Sequence, residues 1–133
     1  MLLNAARGST FEQISEGLNI HPNDVAILNN LYNKALNLID NVPEKKLSLS
    51  VANKVYVGSK PSNLFNETLS NFYGTNALKE VNFRTNHKQI LKEINSYISA
   101  ETDGMITEML DDTSVQSDTA FVSVNAFYFK GET

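Results

Sequence analysis

The sequence contains no cysteine. Disulfides, thiol chemistry and zinc sites built on Cys ligands are therefore excluded. A Cys-free chain suits either side of a membrane, so this absence does not decide the compartment. No apolar run approaches the length of a membrane span. Positive charge is also scarce: 11 Lys and Arg stand against 15 Asp and Glu, a formal net charge of -4. That balance leaves no basic stripe for nucleic acid and no polybasic patch for a membrane. Lys45-Lys46 comes nearest and reads as a solvated turn. Catalytic signatures are missing too. There is no Gly-x-Ser-x-Gly elbow, no Ser/His/Asp pattern and no Gly-rich phosphate loop. His21 and His87 lie far apart, begin no metal-ligand spacing, and read as exposed residues at helix starts. Asp111-Asp112 has no partner motif and reads as a solvated acidic turn. No catalytic residue, metal or cofactor is expected, and the chain is not expected to be an enzyme.

What is present is enough for one packed domain. The chain has 133 residues, of which 41% are hydrophobic, which permits a core and argues against disorder. Prolines and glycines fall between periodic segments. Residues 1–7 read as the last turns of a helix that begins upstream and ends at Gly8. Met1–Gly8 does not read as a signal peptide, having no basic leader and too short an apolar stretch. Ser9-x-x-Glu12 and Thr10-x-x-Gln13 fit capping boxes for a helix over 10–18. A helix over 23–39 carries an apolar stripe of Leu28, Leu31, Tyr32, Ala35 and Ile39, closed by Asn41-Val42-Pro43. Residues 46–58 switch to strand character, and their length predicts a large sheet. Pro61 opens a helix over 61–73 that Gly74 stops. A short strand follows at 77–83. Asn86-x-x-Gln89 resembles a cap for a helix over 87–100, with Ile90, Ile94, Tyr97 and Ile98 inward. Residues 105–110 read as a short helical turn or an extended packing segment. Residues 119–130 are apolar on both faces, as a central strand should be. Such a strand needs two neighbours. The 46–58 strand supplies one, and no segment supplies the other, which reads as truncation.

The order of these elements resembles the serpin family of serine protease inhibitors. Ala6-x-Gly8-x-Thr10-x-x-Gln13-Ile14-x-x-x-Leu18 is similar to the stretch joining that family's second and third helices. Ser50-Val51-Ala52-Asn53-Lys54-Val55-Tyr56-Val57 resembles a strand of its main sheet. Phe72-Tyr73-Gly74 and Val81-Asn82-Phe83 resemble the next helix and an edge strand. Ile94-Asn95-x-Tyr97-Ile98, with Thr102-x-Gly104-x-Ile106 and Met109-Leu110, resembles the helix across the front of the sheet and its return. Val124-Asn125-Ala126-Phe127-Tyr128-Phe129-Lys130-Gly131, the most specific piece, resembles the third strand of the main sheet. Tyr97 and Thr133 depart from the pattern, each standing where the family often has Trp.

The resemblance implies an α+β fold, with helices packed on a partial main sheet of strands at about 46–58, 77–83 and 119–130. Residues 1–133 would be a partial serpin domain, truncated at both ends and lacking the reactive loop. It implies a parent whose cleaved loop inserts beside the third strand and traps a serine protease. The loop-receiving strand would present Phe121, Ser123, Asn125 and Phe127, and Asn125 would help gate the sheet. The chain alone is then expected to be non-inhibitory. A carrier, chaperone or storage protein of the same family is the alternative, and an interaction module pairing through its open strand edge is a third reading. The family implies an extracellular location, with an intracellular one left open. Asn66-Glu67-Thr68 is an N-glycosylation sequon on the outer side of its helix. Heparin is not an expected partner, because the 23–39 helix carries only Lys34 as a cation.

Overall fold

The structure is a computed structural model that describes residues 1–41 and 47–131. Pro43, Lys45-Lys46 and Thr133 lie outside the described residues. In chain order the elements are α1 (Leu2–Ala5), α2 (Gly8–Gly17), a 3-10 turn (Pro22–Asp24), α3 (Val25–Asp40), β1 (Leu47–Val57), α4 (Asn63–Tyr73), β2 (Leu78–Glu80), α5 (Phe83–Glu101) and β3 (Phe121–Gly131).

The strands form one sheet in the order β2-β1-β3. β2 runs parallel to β1, and β3 runs antiparallel to it from Leu47↔Gly131 to Val57↔Phe121. Alternation along β1 sends its side chains to two layers of helix. Ala52 and Tyr56, with Val124 and Ala126 of β3, pack under Phe83, Ile90, Ile94 and Ile98 of α5. Val55 and Val57 point the other way, onto Phe65 and Leu69 of α4. This α+β architecture is the one expected. Among the described residues the middle strand is β1, and β3 has a neighbour on one side only.

Several boundaries differ from the sequence expectation, each for a local reason. Gly8 does not stop the first helix. Ala6 caps α1, and Gly8 at φ +59 turns the chain into α2, a conformation that favours glycine. Neither capping box forms. Arg7 precedes the helix, and its guanidinium donates to the carbonyls of Asn4 and Ala6 at 3.0 and 2.7 Å. On α3, Leu31 is 59% exposed and Ala35 is also exposed. The inward row runs through Leu28, Tyr32, Leu36 and Ile39, with Asn29 buried beside it. α4 begins at Asn63 with Ser62 as its cap, accepting from the Phe65 amide at 3.2 Å. The strand expected over 77–83 shortens to Leu78–Glu80 because Asn82 caps α5, accepting from the Thr85 amide at 3.3 Å. Phe83 therefore enters the core as a helix residue. Asn86 marks a kink inside α5 rather than its start. Residues 105–110 form no helix. Asn95 of α5 pins them, accepting from the Met109 and Leu110 amides at 3.0 Å and donating to the Leu110 carbonyl at 2.9 Å.

Tyr56 carries a polar atom the core does not satisfy. Its hydroxyl is buried without a hydrogen-bond partner among the described residues. Burial raises its pKa far above the ordinary value, and Glu93 and Tyr97 add to the rise. An unsatisfied buried hydroxyl costs about 1–3 kcal/mol. Tyr56→Phe is expected to stabilise the chain by about 1 kcal/mol, read as a higher urea midpoint; a lower midpoint would mean the hydroxyl has a partner.

Candidate functional site: the open edge of β3

Hydrogen-bond direction along β1 fixes which groups of β3 are free. The Val55 amide donates to Ala77 on the β2 side at 2.7 Å, and the Gly58 amide donates to Ala120 on the β3 side at 2.8 Å. Backbone groups alternate sides along a strand. Even-numbered residues of β1 therefore face β3, and even-numbered residues of β3 face back. The N–H and C=O groups of Phe121, Ser123, Asn125, Phe127 and Phe129 point to the other edge. Among the described residues no strand pairs there. These same five residues are exposed, with Phe127 and Phe129 at 59% and 60%. The register pairs Asn125 with Asn53 and Phe121 with Val57, which puts their side chains on the α3/α4 face. The sequence-predicted receiving residues Phe121, Ser123, Asn125 and Phe127 thus share one edge and one face.

Asn125 is anchored at the middle of this strand. Its Nδ2 donates to Asn53 Oδ1 at 2.5 Å and lies 3.5 Å from the Ala52 carbonyl oxygen. Asn53 Nδ2 donates in turn to the Tyr32 hydroxyl of α3 at 3.2 Å. The Tyr32 ring sits 4.9 Å from that of Tyr73 on α4. Burial raises the Tyr73 pKa, with Tyr32 adding to it. Beside this network runs a groove of about 380 Å³, whose walls include Leu3, Ile14 and Leu28 and whose polar lining includes Tyr32, Asn53 and Asn125.

On the opposite face, Lys54 lies under α5. Its ammonium sits 4.9 Å from the Tyr97 ring and 5.5 Å from the Tyr56 ring, a cation–π arrangement. In the sequence Tyr32 reads as part of an apolar helix stripe and Asn53 and Lys54 as strand residues, with no part in the site. Their roles come from cross-strand register and helix docking, which no local spacing encodes.

The remaining candidates lie elsewhere. His21 Nδ1 accepts from the Asn23 amide at 3.2 Å in an exposed turn. His87 is not an exposed loop residue: it lies within α5, half-buried, and its Nδ1 is buried without a partner among the described residues. Asp111 closes a turn, accepting from the Thr113 and Ser114 amides and hydroxyls. Hydrogen bonds from Thr113, then Ser114, hold its pKa below the usual carboxylate value. A depressed carboxylate pKa favours the folded turn above the ordinary value and loses that effect as pH falls through the folded one. No group of three His, Asp or Glu among the described residues could hold a metal ion. No helix among them is long and apolar enough to cross a membrane.

Asn66 is exposed on α4. The Thr68 hydroxyl of its sequon donates to the Leu64 carbonyl at 2.7 Å, so the folded helix occupies the group that a glycosylating enzyme must engage. Modification would have to precede folding. Expressed through a secretory pathway, the chain is expected to show a glycosidase-sensitive mobility shift that Asn66→Gln abolishes. An unshifted wild-type band would remove the site.

The family model described as "Serpin (serine protease inhibitor)" matches residues 1–133. Human "Serpin B9" is 30% identical over 135 residues, covering 99% of this chain and 35% of that protein. The horse "Leukocyte elastase inhibitor" is 33% identical over 134 residues, covering 98% and 34%. Chicken "Ovalbumin-related protein Y" is 36% identical over 107 residues, covering 78% and 27%. Among solved structures, uncleaved ovalbumin superposes with a TM-score of 0.83 at 27% identity, covering 97% of this chain and 38% of that one. The chain therefore spans about a fifth to two fifths of the proteins it is similar to.

Proposed function

This chain belongs to the serpin family of serine protease inhibitors, and we propose that its β3 is the strand edge against which a cleaved reactive loop inserts in the whole protein. One observation carries this reading: the odd-numbered backbone groups of β3 face an edge with no strand on it among the described residues. An incoming strand would gain main-chain hydrogen bonds along that edge, each worth about 0.5–1.5 kcal/mol net. It would also cover exposed phenylalanine surface, at roughly 25 cal/mol per Å². Asn125, tied to β1 by its side chain, is the gating residue in this reading. The protein partner is a serine protease, held by the family's trapping mechanism rather than processed as a product. The chain itself is a partial serpin domain and supplies no catalyst. Nucleic acid, membrane and heparin are not proposed partners. The cation on α3 is Lys34, too little for a polyanion. By family likeness its place is outside the cell, with an intracellular place as the alternative reading.

The test is incubation of the whole protein with trypsin-, chymotrypsin- and elastase-type proteases, followed by denaturing gel electrophoresis. Trapping gives a stable band at the summed mass. The 133-residue chain alone is expected to give none, and a covalent band from it would refute the assignment of β3 as a receiving edge only. A non-inhibitory relative is the second reading, favoured by the similarity to ovalbumin; it predicts cleavage without a complex. If the chain acts by itself as an interaction module, self-association through the β3 edge is the expected mode.

A further inference from the structure

The hydrogen bonds that hold Asn125 do not stop at the sheet. Asn125 donates to the Asn53 side-chain carbonyl, and the Asn53 amide donates to the Tyr32 hydroxyl. Each donor polarises the next, so the chain of bonds acts as one unit. Its far end is fixed. Near Tyr32 on α3, Asn29 exchanges two amide hydrogen bonds with Asn4, at 3.0 and 2.8 Å. Asn33 donates to the Phe72 carbonyl of α4 at 3.2 Å. The Tyr32 ring itself packs on Tyr73. On the opposite face, Tyr97 of α5 stacks on the Lys54 ammonium at 4.9 Å, and burial, first, then Glu101 raise its pKa. Asn53 is thus the node where α3 meets the β1–β3 ribbon.

We propose that Tyr32 is the positioning residue for Asn125: acting through Asn53, it ties α3 to the middle of β3 and sets how firmly β3 is held to β1. This deepens the reading of Asn125 as the gate and rests on it. A disturbance of α3 then reaches the open edge through one hydroxyl. Tyr32→Phe removes that hydroxyl and keeps the ring contact with Tyr73.

The experiment is amide hydrogen exchange by NMR on the full chain, on Tyr32→Phe, on Asn125→Ala and on the double variant. The readout is exchange of Val122, Val124 and Ala126, whose amides face β1. Tyr32→Phe is expected to raise their rates about threefold or more, the worth of one net hydrogen bond, leaving β2 and α4 unchanged. Asn125→Ala should raise them at least as much. In the double variant the Tyr32 change should add nothing, because the strap is already cut. Tyr73→Phe removes a neighbouring hydroxyl, one that accepts from the Met1 amine at 3.2 Å, and should leave β3 as it was. Should Tyr32→Phe disturb folding, Asn53→Ala cuts the same strap and must reproduce the local pattern. Faster exchange in Asn125→Ala but not in Tyr32→Phe would overturn the strap and spare the gate. No change in either would overturn both. Additive effects, or a rise spread through β2 and α4, would reduce Tyr32 to ordinary packing and overturn the proposal.

Discussion

Proline at Val124 is expected to unfold the ribbon of β1 and β3, whereas proline at Ser123 leaves it paired. The two positions are adjacent, and their backbone groups face opposite edges. The Val124 amide points toward its partner Lys54 on β1. Proline there deletes a ladder donor, strands a buried acceptor at about 1–3 kcal/mol, and disturbs a side chain that is 3% exposed. The summed cost is about 3 kcal/mol or more. The Ser123 amide faces the open edge, where proline is tolerated, so the cost there is about 1 kcal/mol or less. Urea unfolding of both variants, with Val124→Ala to isolate the side-chain part, checks this. Equal losses at both positions would mean that Ser123 also donates to a neighbour. In the whole protein, Ser123→Pro should spare folding and weaken protease trapping, because the inserted strand loses a donor.

Ile94→Ala should produce one of the largest losses among single side-chain truncations in the α5 layer. Ile94 is fully buried among Ala52, Tyr56, Val124 and Ala126. Truncation removes transfer energy and leaves a cavity between two rigid layers, at about 2–5 kcal/mol. That is a large part of the stability of a chain this size. Met105→Ala, at a residue 74% exposed, should stay within about 0.5 kcal/mol. A comparison of denaturation midpoints suffices. A small effect at Ile94 would mean that α5 does not pack on the sheet.

Ile94 was legible in the sequence because its helix is strongly periodic: Ile90, Ile94 and Ile98 recur every four residues and all are buried. The long strands were legible from alternation and from unbroken apolar character. On α3, Leu28, Tyr32 and Ile39 were read correctly as inward, and Leu31 and Ala35 were not. Ile27 and Leu31 are as apolar as its core-facing residues, yet 58% and 59% exposed, so hydrophobicity alone could not select the face. Asn29 was missed for the converse reason. It is polar but buried, because Asn4, far off in sequence, completes its hydrogen bonds. β2 was drawn too long because Val81 and Phe83 suit a strand equally well; a cap at Asn82 decided the matter. At the site, Phe121, Ser123, Asn125 and Phe127 were named through the family resemblance. Their backbone orientation and the link to Tyr32 were not legible, since both follow from pairing 11 residues of β1 with β3 in one register.

In this reading β3 offers one edge to β1 and the other to an incoming strand. Residue-resolved amide exchange on the unmodified chain tests this most directly. The predicted pattern alternates: slow exchange at Val122, Val124 and Ala126, fast exchange at Phe121, Ser123, Asn125 and Phe127. Uniform protection along 121–127 would contradict it, because a neighbour from these same residues would then already hold the edge.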